Sequence, residues 1–269
     1  LVSSSAASDV YKRQGLEIPV DKEGVDYMAL LSSMEIMNFP EYMEALARIF
    51  KQAGITWTIS SEAFEATNSG IQIGSSDIAR ELVSRVVSAA EKLKVKYVIS
   101  PECGHAYTAI RWEGPNLIGR PYNFKVVHIL EVLDELRASG RLKTEGTEDD
   151  RLTFHDPCQI VRKGGVLEPP RNLLKQVASD FVDMNDAREM NWCCGGGGGV
   201  SAIERAEELR IKVFKRKVTQ LEELQVETLV TACANCRLVM EEGLEEYKLE
   251  IPVVGLTEVI AEHLVEDKE

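Results

Sequence analysis

The chain of 269 residues carries 31 Lys and Arg against 44 Asp and Glu, a formal charge of -13 with a pI near 5.0. Such a surface repels nucleic acid and anionic lipid, which excludes both as general partners. The 44% hydrophobic and 28% charged residues are a globular balance, and no apolar run approaches the ~20 residues of a membrane helix, so no direct membrane span is expected.

Residues 1–14, LVSSSAASDVYKRQ, place Lys12 and Arg13 after a Ser/Ala stretch instead of ahead of an apolar one, so they do not read as a signal peptide. They read as a non-native, adapter-like leader outside the fold, and the native chain is expected to extend further upstream. A strand is predicted over Val25 to Leu31, then a helix after Pro40 with Met43, Leu46, Ile49 and Phe50 on one face, closed by Gly54. Strand Ile55 to Ile59 leads through a loop to a long helix capped by Ser75 or Ser76, and strand Lys96 to Ser100 ends on Pro101-Glu102-Cys103-Gly104-His105.

The order then repeats. Strand Arg151 to Phe154 ends on His155-Asp156-Pro157-Cys158, and Pro170 opens a helix. Strand Asp180 to Met184 precedes Trp192-Cys193-Cys194-Gly195, a helix runs from Ile203 to Leu224, and strand Glu227 to Ala232 ends on Cys233-Ala234-Asn235-Cys236. This alternation predicts an α/β protein of two tandem Rossmann-like halves with parallel sheets, over 15–141 and 151–269, joined by a polar linker at 142–150. Sites in such sheets form at the carboxyl ends of strands, where all the cysteine groups fall. Aligning the halves sets Glu65 and Ala66 opposite Cys193 and Cys194, and Glu102 and His105 opposite Cys233 and Cys236.

Five of the six cysteines, Cys158, Cys193, Cys194, Cys233 and Cys236, crowd into the second half. Five thiolates at one sheet end repel one another unless cations neutralise them, which points to metal. A tetrahedral zinc site needs only four ligands, so five favours an iron–sulfur cluster over zinc with a spare thiol or inert buried cysteines. The run Gly195 to Gly199 lets backbone approach sulfur closely.

This arrangement, with Cys158, Cys193-Cys194-Gly195 and Cys233-x-x-Cys236 as its signature, resembles the cysteine-rich CCG domain of the heterodisulfide reductase-related family. Phe64-Glu65-Ala66-Thr67-Asn68, Glu102 to Tyr107 and His155 to Gln159 make the chain similar to the K-type iron–sulfur subunit of the sulfite-reduction-associated membrane complex. The resemblance implies a noncubane 4Fe-4S cluster on those five cysteines and reduction of a heterodisulfide or protein trisulfide. It also implies a cytoplasmic protein, reaching the membrane face through a partner. The partners implied are an electron-donating iron–sulfur or membrane cytochrome subunit and a small sulfur-carrier protein or disulfide substrate. Related domains also serve lactate, glycolate and glycerol-3-phosphate oxidation, which stays an alternative, as does a non-catalytic metal-stabilised assembly module.

Candidate catalytic groups lie in the first half. Cys103 is either a small buried hydrophobe or a redox thiol, His105 a proton donor or a bonded loop histidine, and Glu102 a general acid or the group that orients His105. Glu65 is either a pocket carboxylate or a solvated one. His155 and Asp156 are expected to shape the turn before Cys158, Trp192 to shield the centre, and Arg162 with Lys163 to dock an acidic partner or face solvent.

Overall fold

The computed structural model describes residues 16–64, 67–100 and 102–265. The leader, the Glu65–Ala66 pair set against Cys193–Cys194, and Pro101 lie outside the described residues.

The first half runs β1 (Tyr27–Ala29), α1 (Ser33–Asn38), α2 (Glu41–Gln52), β2 (Trp57–Thr58), α3 (Thr67–Gln72), α4 (Ser76–Leu93), β3 (Tyr97–Ser100), α5 (Gly104–Thr108), α6 (Gly114–Ile118), β4 (Lys125–His128) and α7 (Ile129–Ala138). The second runs β5 (Glu148–His155), α8 (Pro169–Val177), β6 (Ala178–Phe181), α9 (Glu207–Glu223), β7 (Thr228–Thr231), α10 (Ala234–Glu246), β8 (Val253–Gly255) and α11 (Leu256–Glu262). Both sheets are parallel throughout, ordered β2-β1-β3-β4 and β6-β5-β7-β8. One topology is thus used twice, the tandem Rossmann-like plan expected from the alternation of elements.

The local chemistry explains the main elements. Ser75 accepts from Ile78 N at 3.3 Å and caps α4, whose Val83, Val86, Val87 and Ala90 are buried at helical spacing. The central strands β3 and β7 are continuously apolar or buried, as strands covered on both faces must be. A fourth strand in each half, β4 and β8, adds to the three per half expected from the sequence.

The predicted linker is ordered. Residues 148–150 already belong to β5, and Lys143 N donates to Gln52 Oε1 at 2.9 Å while Gln52 Nε2 returns bonds to Lys143 O and Val265 O. Thr144 bridges antiparallel to Leu264. The halves meet along α2 with α11, α7 with α8, and α5 with the π-turn Gln159–Lys163. Gly104 permits that last contact, because a methyl group there would stand 2.7 Å from Gln159 Cβ. Among the described residues no helix is long and apolar enough to cross a membrane.

Candidate metal centre

Asp156 builds the site from beneath. The Arg171 guanidinium holds its carboxylate at 2.8 and 2.7 Å, and Arg188 N donates to it at 2.6 Å. Its carbonyl accepts from Asn191 Nδ2, so the turn that ends β5 and presents Cys158 is tied to the turn that presents Cys193. Arg162 adds a second tie, donating to both Asn191 O and Asn191 Oδ1 at 2.6 Å. Its guanidinium thus braces the turn that presents Cys193. Trp192 is pinned by its Nε1 on Val213 O at 3.1 Å and covered by Arg216, 4.4 Å over the ring.

After Cys194 the backbone needs glycine. Gly195 has φ +97 and donates its N–H to Cys193 Sγ at 3.4 Å, and Gly196 lies so close to α10 that a methyl group would meet Val239 Cγ2 at 2.5 Å. Asn235 Nδ2 donates to Gly196 O at 3.2 Å and clasps this loop to the other cysteine pair. Cys233 is the N-cap of α10 and Cys236 lies in its first turn. The segment Gly197–Ala202 forms a 3-10 turn, and α9 starts at Glu207 rather than at Ile203.

Five thiols consequently converge on one enclosed space, walled by Cys158, Cys193, Cys194, Cys233 and Cys236. The Cys194 and Cys236 sulfurs are 3.3 Å apart, and no disulfide joins the cysteines. Contact splits their acidities. Hydrogen bonds from Cys158 and Cys194 pull the Cys193 thiol far down, and Cys236 pulls Cys233 down to about 7. The donors rise in turn, Cys194 to about 12, while Cys158 and Cys236 are also pushed up. Without cations such a group shares its protons and does not ionise together.

Two buried cationic or basic side chains complete the chamber. His155 is buried, neither ring nitrogen has a partner among the described residues, and its ring lies with the Cys194 and Cys236 sulfurs in a group of ligand atoms within 4.8 Å of one another. Lys217 is fully buried beside them. Five sulfur donors with an orphaned imidazole fit an iron–sulfur group in number and chemistry, and exceed what a four-coordinate zinc ion takes. Sequence reading missed Lys217, although its phase with Phe214 and Leu221 on the buried stripe of α9 is the signal that would have found it.

A cavity of about 810 Å³ opens on this chamber between the halves, with Ile71, His105, Trp112, Cys158, Lys163 and Cys193 among its walls. Cys194, Cys233 and Cys236 lie behind it. His105 borders both spaces, and burial, reinforced by Lys163, holds its imidazole towards the neutral form. Glu102 and Cys103 do not line either space. The Glu102 carboxylate is buried at the seam between the halves, accepting from Thr257 Oγ1 at 2.6 Å, and its carbonyl accepts from Ala234 N at 2.8 Å. Cys103 is the N-cap of α5, with φ and ψ of -141 and 105 against -151 and 110 at Cys233. Cys103, and not Glu102, is thus the structural counterpart of Cys233, because the first half has one more residue between strand and helix.

Residues 152–241 match the cysteine-rich domain family CCG. Over 82% of the chain the sequence is 31% identical to the D-type polypeptide of the dihydromethanophenazine:CoB--CoM heterodisulfide reductase from Methanosarcina acetivorans, of which it covers 54%. Over 91% of the chain it is 26% identical to "Hdr-like menaquinol oxidoreductase iron-sulfur subunit 2" of Archaeoglobus fulgidus, covering 52% of that protein. The chain thus spans about half the length of the curated relatives it matches. A crystal structure of a hypothetical protein from Helicobacter pylori shares the fold alone, with a TM-score of 0.66 at 10% identity, over 100% of this chain and 55% of that one. Residues 152–241 thus form a CCG cysteine-rich domain, and the chain is homologous to the D-type polypeptide of heterodisulfide reductase and to the Hdr-like iron–sulfur subunits.

Proposed function

We propose that this chain is the cluster-bearing part of an iron–sulfur oxidoreductase subunit that reduces a disulfide-type substrate. Cys158, Cys193, Cys194, Cys233 and Cys236 would hold a noncubane 4Fe-4S cluster. The observation that carries the reading is the convergence of all five thiols on one enclosed space; of the five, only Cys158 and Cys193 reach the cavity between the halves.

When bound, the cluster supplies electrons one at a time and an iron site for sulfur. The protein supplies the rest. Trp112, Ile71 and Ala109 give the substrate an apolar wall, and Lys163 offers a cation for an anionic group on it. His105, neutral beside Cys193, carries a proton between solvent and the sulfur that is cleaved. Reduction of R–S–S–R′ consumes two electrons and two protons and releases two thiols. The electrons would come from a partner iron–sulfur or membrane cytochrome subunit, which would also bring the chain to the cytoplasmic face of the membrane. The thiols would belong to a small sulfur-carrier protein or a small heterodisulfide. Glu102, turned to Thr257 and away from the cavity, acts in this reading as a seam residue, and Cys103 as a helix cap. The fold would divide functionally at 142–150, with 15–141 forming the substrate wall and 151–269 the cluster half.

The menaquinol named in one relative supports a second reading, in which electrons pass to or from quinone. Anaerobic purification with iron and sulfide analysis tests the centre. Acid-labile sulfide in a ratio near one to iron is expected, and zinc without sulfide would sink the proposal. Dye-linked turnover with disulfides is expected, and turnover with a menaquinol analogue but none with disulfides would favour the second reading.

A further inference from the structure

Lys217 sits on the inner stripe of α9, one turn from Phe214 and Leu221, and none of its surface reaches solvent. Among the described residues its Nζ donates only to Met184 Sδ, at 3.9 Å, and makes no ion pair. An ammonium withdrawn from water without a counter-charge is one of the costliest arrangements a core can contain. The two carboxylates that act on it, Asp156 and Asp186, are already engaged. Asp156 is held by Arg171 at 2.8 and 2.7 Å, and Asp186 by Arg216 at 2.6 and 2.8 Å.

The inner face of α9 packs against the cysteine segments: Val213 O accepts from Trp192 Nε1 at 3.1 Å next to Cys193, and Phe214 closes on Gly243 of α10, the helix that carries Cys236. Burial works against the Lys217 ammonium, and Cys194 and Cys236 are the foremost groups that work for it. Those two thiols and the orphaned His155 imidazole are also the tightest donor group in the molecule's described part. A methionine or leucine would suit the apolar stripe that Phe214, Val218 and Leu221 continue, so packing alone gives no reason for a lysine there.

We propose that Lys217 is the built-in counter-charge of the metal–thiolate centre, a positioning residue that sets how readily the centre accepts an electron. This rests on the iron–sulfur reading above. A fixed cation beside the thiolates stabilises whichever state of the centre carries more negative charge, and so favours its reduced form. Neither Lys217 nor Cys194 or Cys236 lines the cavity between the halves, so the effect falls on electron affinity and not on substrate binding.

The test compares the full-length protein with Lys217→Met, which keeps the volume and removes the charge, and Lys217→Arg, which keeps the charge. Redox titration is followed by EPR, with iron and sulfide counted per chain. Lys217→Met is expected to move the reduced-to-oxidised ratio at fixed potential at least tenfold toward oxidised, about 59 mV for a one-electron step, while Lys217→Arg stays near wild type. Urea unfolding of the chelator-treated proteins gives the second readout. There Lys217→Met is expected to be the more resistant, because the uncompensated charge has gone. A fully loaded Lys217→Met with an unmoved midpoint overturns the proposal. If that variant takes up no iron, the urea readout decides: a lower midpoint than wild type overturns the proposal, and a higher one supports it. Wild-type protein without acid-labile sulfide would bring down the iron–sulfur reading and this inference together, whereas sulfide with an unmoved midpoint brings down only the inference.

Discussion

Arg171 is the largest side chain fully buried among the described residues, and it holds Asp156 and Asp183 together. Removing one partner of a buried pair leaves the other charged in low dielectric, a loss of about 3–5 kcal/mol. Arg171→Leu should cost that much in urea unfolding and lower iron per chain, since Asp156 ties the Cys158 turn to Asn191. Wild-type iron content at reduced stability would show that the tie does not position the ligands. Glu35 gives a separate prediction. Burial raises its carboxyl from 4.5 to about 8, and Ser32 N and Oγ donate to it at 2.9 and 3.0 Å. The folded state then keeps a proton that the unfolded chain has already lost. Its contribution is full below about 4.5, falls as pH rises through the window to about 8, and is gone above it. Glu35→Gln should remove a slope approaching ~1.4 kcal/mol per pH unit, read as the difference between the two proteins' urea stabilities across that window. An identical slope in both would refute it. The cysteines were readable because their type and spacing restrict the chemistry. Arg171 and Lys217 were not, because a cation in a helical pattern reads as solvated unless its phase with buried neighbours is followed.

The glycine segment and α10 are coupled elements. Gly196→Ala would drive a methyl group against Val239 Cγ2 and Asn235 Nδ2, and Gly243→Ala would drive one to 2.4 Å from Phe214 Cδ1. Each overpacking should cost about 1–3 kcal/mol. Only the first moves the loop that follows Cys194, so iron per folded chain should fall for Gly196→Ala and hold for Gly243→Ala. Equal losses would mean that the loop has no role beyond packing. The alternation of strands and helices was visible in the sequence because buried parallel strands and amphipathic helices leave different periods. The short fourth strands were not, and neither was the break of the glycine run into a 3-10 turn with φ of +65 and +80 at Gly198 and Gly199, since composition carries no dihedral angles.

The repeated strand order makes the molecule a pair of like halves facing across a seam, with the thiol chamber on one side and His105 and Trp112 on the other. The duplication could be read from the order of elements, but the residue correspondence slipped by one. An extra residue before α5 moves Cys103, not Glu102, opposite Cys233, and only backbone geometry reveals it. Glu102 is left as the seam's buried carboxyl, raised by burial and by Glu258, with Thr257 across the seam as donor to its side chain. The same residue's carbonyl receives the first N–H of α10, so the first half helps fix the helix that carries Cys233 and Cys236. Thr257→Val keeps the shape and removes the hydroxyl, leaving the Glu102 side chain without its shortest bond at a cost of about 1–3 kcal/mol. The halves should therefore unfold together: calorimetry is expected to give one transition in both proteins, shifted down as a whole by Thr257→Val. Two transitions, with only the second half's shifted, would mean that the halves are independent and that the seam does not hold the cluster helix in place.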